Sequence, residues 1–77
     1  MEIKEAIVRA EKIQSLLFAI EELKEGRRVL AVKILRLLTG LTIPELAKAT
    51  AIACGEEPQG EVSEEAKEVG LLLKKFL

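Results

Sequence analysis

Residues 41–60 read LTIPELAKATAIACGEEPQG. The opening residues carry a full set of helix-start signals. Thr42 is a capping residue, and Glu45, three positions on, can reach back to the Thr42 amide. Pro44 falls in the first turn, where no amide partner is lost, and Leu41 can touch Leu46 across the cap as a hydrophobic staple. Together they predict a helix over Ile43–Ala53. The continuation CGEEPQGE, with two glycines, a proline and three glutamates, reads as a loop. The fold therefore depends on which helices lie on either side of this capped one.

Immediately upstream, RRVLAVKILRLL predicts a helix over 28–38, with Leu30, Ile34, Leu37 and Leu38 as its inner face and Gly40 as a left-handed stop. Further back, Ile3, Ala6, Ala10, Ile13, Leu17 and Ile20 recur at steps of three and four. That spacing puts them on one face of a helix over about 2–24, which Gly26 is placed to end. At about 100° per residue, Val8 falls nearly opposite that stripe, and Leu16, Phe18 and Leu23 fall on its flanks. A helix apolar on more than one side needs more than one neighbour, so we expect a homodimer through it, with Val8 and Phe18 at the interface.

Downstream of the loop, Ser63 is a capping residue followed by Glu64 and Glu65, whose charge suits a helix N-terminus, while Lys74 and Lys75 suit its C-terminal end. Val62, Ala66, Val69, Leu73 and Phe76 again step by four and three, predicting a helix over 64–76. Gly70 inside it costs roughly 1 kcal/mol against alanine, which marks a close approach to another helix. No segment has the two-residue period of a strand. The expectation is an all-α, compact bundle of four helices in one domain over 1–77, with a long N-terminal helix within 1–25 and the rest over 26–77. Leu30, Ile34, Leu37, Leu46, Val69 and Leu73 are expected to be among the most buried side chains.

Composition narrows the chemistry. The chain has 77 residues, 49 % hydrophobic and 32 % charged, and contains no histidine, tryptophan, tyrosine, aspartate or asparagine. The usual general base and the commonest metal ligand are missing, so no catalytic, cofactor-binding or metal-binding residues are assigned and an enzyme is not expected. Cys54, the single cysteine, has neither a histidine nor a second thiol to work with and reads as a small core or cap residue. Charges run through MEIKEAIVRAEKIQSLL, so it is neither signal peptide nor membrane span, and a soluble, cytoplasmic protein is expected. The lack of Asn and Asp fits either a heat-adapted, thermostable protein or a designed sequence.

With the last three helices placed, RRVLAVKILRLLTGLTIPELAKATAIA resembles the first two helices of winged helix-turn-helix DNA-binding domains, which often read ILRLL, a short turn, then LTxxELAxATGI. The order of Val69, Leu72, Lys74 and Lys75 within VGLLLKKF is similar to the end of a recognition helix in those families. Three departures stand out: Ala51 occupies the usual turn glycine, CGEEPQGE lengthens the following turn, and no wing hairpin follows Leu77. A wingless variant, with residues 26–77 as a helix-turn-helix-like core, is what the resemblance implies. VKILRLLTGLTIPELAK and VSEEAKEV also resemble, in the same order, helical segments of the ribosomal stalk protein's C-terminal domain, which in addition needs strands.

The helix-turn-helix resemblance implies a small nucleic-acid-binding regulator. Its partner would be double-stranded DNA, with the third helix bracing the site, the fourth entering the major groove and the first pairing subunits. Arg27, Arg28, Lys48, Lys67, Lys74 and Lys75 would then contact nucleic acid. Charge is distributed unevenly: residues 1–25 carry four Lys/Arg and six Glu, residues 26–53 five and one, and residues 54–77 three and six. A basic stripe from Arg27, Arg28, Lys33, Arg36 and Lys48 can meet phosphates. The net charge of −1 is far from the basic balance of most DNA-binding domains. The alternative is a helical bundle without a small-molecule site, either a de novo designed protein or a protein–protein interaction and oligomerisation module.

Overall fold

The computed structural model describes residues 2–77 as four helices: α1 Ile3–Lys24, α2 Arg28–Thr39, α3 Ile43–Ala53 and α4 Glu64–Lys74. No strand occurs among the described residues. The ends follow the local signals. Gly26 and Gly40 both take positive φ, and Gly40, at +73°, closes α2 in the left-handed conformation that side chains disfavour. At α3 the capping box is complete: the Glu45 amide donates to Thr42 Oγ1 at 3.3 Å, and the Thr42 amide donates to Glu45 Oε1 at 3.2 Å. Leu41 packs, half-buried, against the core that includes Leu46. Ser63 caps α4 by accepting the Ala66 amide at 3.2 Å.

A three-residue turn sends α2 back along the C-terminal half of α1. The core gathers Ala19, Ile20 and Leu23 of α1, Ala31, Val32 and Leu35 of α2, Leu46 and Ala53 of α3, and Leu73 of α4. α3 and α4 meet at Gly70: a Cβ there would lie 2.8 Å from Ile52 Cβ and 2.9 Å from the Ala49 carbonyl oxygen. The expected close approach is thus real, and it fixes α4 on α3 although ten residues separate them.

Three expectations of facing are corrected. Leu30 and Leu37 are exposed, Ile34 and Leu38 are half-buried, and the inner face of α2 is Ala31, Val32 and Leu35. The helix is turned by about one residue from the expected register. Nearly every position from Val29 to Leu38 is apolar except Lys33 and Arg36, so the inner stripe could be drawn in more than one way, and small Ala31 allows the closer approach to α1. Val69, expected to be among the most buried side chains, is half-buried, whereas Leu46 and Leu73 are buried as expected. In α1 the stripe Ile3, Ala6, Ala10, Ile13 and Leu17 is exposed and only Ile20 is buried. Leu16, Ala19, Ile20 and Leu23 face the bundle instead, because α2 accompanies only the second half of the helix.

Candidate functional site

Every described α1 residue up to Gln14 is exposed, so about 18 Å of helix, at 1.5 Å per residue, projects beyond the buried core. The molecule is correspondingly long, 42 × 25 × 20 Å. An isolated helix of this length is marginal in water. Its apolar residues Ile3, Ile7 and Ile13 lead without interruption to Leu17, and Leu17 opens onto an apolar groove of about 700 Å³ between α1 and α2. Phe18, Leu30, Ile34, Leu37 and Leu38 form its walls, with Gln14, Ser15 and Glu21 on the rim. The groove has no convergent set of polar groups to orient a small polar ligand. A second, smaller apolar groove of about 260 Å³ lies where Ile13 and Leu16 of α1 face Leu38 of α2 and Val69 and Leu72 of α4.

Of the two residues expected at a dimer interface, Phe18 lies in the large groove and Val8 does not. Val8 is exposed among Lys4, Glu5, Arg9 and Lys12. The residues that sequence reasoning missed are Leu30 and Leu37, which the rotated register of α2 moves from core to groove. Their signal was present in the sequence: α2 has more apolar residues than one inner face can use.

The six expected nucleic-acid contacts are dispersed. Arg27 pairs with Glu22 and Glu25, its Nη2 lying 3.0 Å from Glu22 Oε1. Arg28 grips Glu56 with both nitrogens of its fork, one at 2.8 Å. Lys48 Nζ donates to the Glu61 carbonyl at 2.5 Å, and Lys67 lies 3.6 Å from Glu64. Lys74 borders a depression with Lys24, Cys54 and Gly55. Lys75 is the exposed residue that closes α4. Cys54, the C-cap of α3, is exposed.

The acids that hold these arginines are themselves perturbed. Hydrogen bonds from Arg27 keep the buried Glu22 carboxyl below the ordinary carboxylate range against the opposing effect of burial, and Arg28 does the same to Glu56. Glu45 is lowered chiefly by the Thr42 hydroxyl, then by the Thr42 amide and Ser63. All three shifts have a structural cause within a cap or an ion pair, so none marks a reactive carboxylate. Among the described residues no cluster of three or more Cys, His, Asp or Glu could hold a metal ion, and no helix is long and apolar enough to cross a membrane. No family model matches the chain, and neither a curated protein nor a solved structure is significantly similar to it.

Proposed function

We propose that the chain is a helical self-association module, a homodimer joined through the exposed apolar face of α1 and the α1–α2 groove. The observation that carries this reading is the continuity of that face from the projecting half of α1 into the groove. Ile3, Ile7, Ile13, Leu17, Phe18 and Leu37 are exposed by 78, 52, 58, 52, 53 and 88 %. Even at about 150 Å² for a fully exposed large side chain, the low end of the aromatic range, they present on the order of 600 Å² per copy, approaching the roughly 800 Å² each partner contributes to a standard interface. Apolar surface on this scale is unusual on a monomer of 77 residues.

The nucleic-acid reading has less support. Arg27, Arg28 and Lys67 are committed to glutamates, and Glu64, Glu65 and Glu68 are exposed on the half of α4 that would approach the phosphates first. An enzymatic role finds no assembled nucleophile, base and orienting group.

Sedimentation velocity over a wide concentration range tests the proposal. A dimer is expected, and Phe18→Glu combined with Leu37→Glu should give a monomer that still unfolds cooperatively. A wild-type chain that sediments as a monomer throughout would overturn it.

A further inference from the structure

Resting on the self-association reading, we infer that the two copies pair antiparallel along α1, with the two-fold axis at Ala10, so that the first turn of each α1 closes the Leu17–Leu37 end of the other copy's groove. The exposed stripe of α1 has an internal symmetry. Reversed about residue 10, the exposed stripe maps onto itself: Ile3 falls opposite Leu17 of the second copy, Ile7 opposite Ile13, and Ala10 opposite Ala10. At 100° per residue these five positions occupy an arc of about 120°, the width of a helix packing face, and all five are exposed in the single chain. A surface that is its own complement under a two-fold rotation is what an isologous interface requires.

Side-chain size agrees with the axis. Ala10 places the smallest side chain of the stripe at the crossing point, where two helix axes can come within about 8 Å. Ile3 and Leu17, the ends of the stripe, then meet where Leu17 opens onto the groove. Parallel pairing would instead leave Leu17, Phe18 and Leu37 facing their own counterparts, with the other end of the stripe, at Ile3, far from either groove. Only the antiparallel arrangement brings the unsupported half of each α1 onto the supported half of the other.

Cysteine cross-linking decides the geometry, with Cys54→Ser as the background so that no native thiol competes. Under mild oxidation in native buffer, Ala10→Cys should form a disulfide dimer nearly completely and lose that ability in denaturant, because the bond needs Cβ atoms about 4 Å apart. Ile3→Cys alone and Leu17→Cys alone should stay monomeric on a non-reducing gel, while an equimolar mixture of the two should cross-link. If sedimentation gives a dimer but Ala10→Cys does not cross-link, or Ile3→Cys cross-links with itself, the antiparallel register is overturned and self-association stands. If the chain is a monomer, both fail together.

Discussion

Ser63 Oγ donates a hydrogen bond to Glu45 Oε2 at 3.0 Å, so the carboxylate that completes the capping box of α3 also holds the residue that caps α4. Glu45 Oε1 accepts from the Thr42 hydroxyl at 2.8 Å and from the Thr42 amide, and Ser63 accepts the Ala66 amide in turn. Two helix starts thus share one acid. Thr42→Ala and Ser63→Ala should each cost about 1 kcal/mol. Their effects should be non-additive, because each removes part of the network that orients the other. Chemical denaturation of both single variants and the double variant checks this, and strict additivity would mean the shared carboxylate couples nothing.

The lowered carboxyls of Glu45, Glu22 and Glu56 fix the sign of the acid response. A carboxyl whose folded pKa is depressed contributes stability that is present above its unfolded pKa, about 4.3 for Glu, and is lost as the pH falls through the folded value. The melting temperature should therefore hold between neutral pH and about pH 5 and fall below about pH 4. Glu45→Gln retains one carbonyl oxygen for the Thr42 side of the network but cannot accept on both sides. It should melt lower than wild type at neutral pH and lose less on acidification.

Gly70→Ala separates two opposing effects. Alanine gains roughly 1 kcal/mol of helix propensity, yet its Cβ would meet Ile52 Cβ at 2.8 Å and the Ala49 carbonyl oxygen at 2.9 Å. The carbonyl belongs to the α3 backbone, so α4 must shift, and overpacking of this kind costs about 1–3 kcal/mol. The net change should be destabilising in urea unfolding. A stabilised variant would place α4 farther from α3 than found here.

Helix existence was legible in the sequence because its determinants are local. The Thr42–Glu45 box, the Gly40 stop and the Ser63 cap each act within a few residues, and α1 to α3 run as expected to within about a residue. α4 ends at Lys74, two residues earlier than expected. Helix facing was less legible where hydrophobicity surrounds the helix. In α2 the choice between Leu30–Leu37 and Ala31–Leu35 depends on how closely α1 approaches, which no spacing within α2 encodes. Nor could the sequence reveal that Glu56 folds back onto Arg28 or that Glu61 presents its carbonyl to Lys48. The loop CGEEPQGE thus ties α4's entry to α2 and α3 and takes up two of the cations that the helix-turn-helix resemblance would offer to DNA.

The corrected register of α2 gives a sharp contrast between neighbours. Leu35, buried in the core, should lose about 2–5 kcal/mol on replacement by alanine. Leu37→Ala, two residues on, removes an exposed side chain and should leave the stability of the monomer nearly unchanged, while weakening self-association through the lost groove contact. Urea unfolding at low protein concentration measures the first effect and sedimentation equilibrium the second. The opposite ranking in unfolding would restore the register in which Leu37 faces inward.

Duplex DNA provides the last test, aimed at the meaning of residues 41–60. Phosphate binding requires cations free to exchange their counterions for the backbone, and each phosphate neutralised adds close to one unit to the salt slope. Here Arg27, Arg28 and Lys67 are already paired with glutamates, Lys48 is held by a carbonyl, and the N-terminal half of α4 presents Glu64, Glu65 and Glu68. Fluorescence anisotropy with mixed-sequence duplex should therefore show no salt-sensitive binding at low ionic strength. Glu56→Gln, which weakens the hold on Arg28, should be the first change to raise a weak signal. Strong wild-type binding whose salt slope falls by about two in the Lys74→Glu, Lys75→Glu variant would instead make α4 a reading helix, with CGEEPQGE as its lengthened turn.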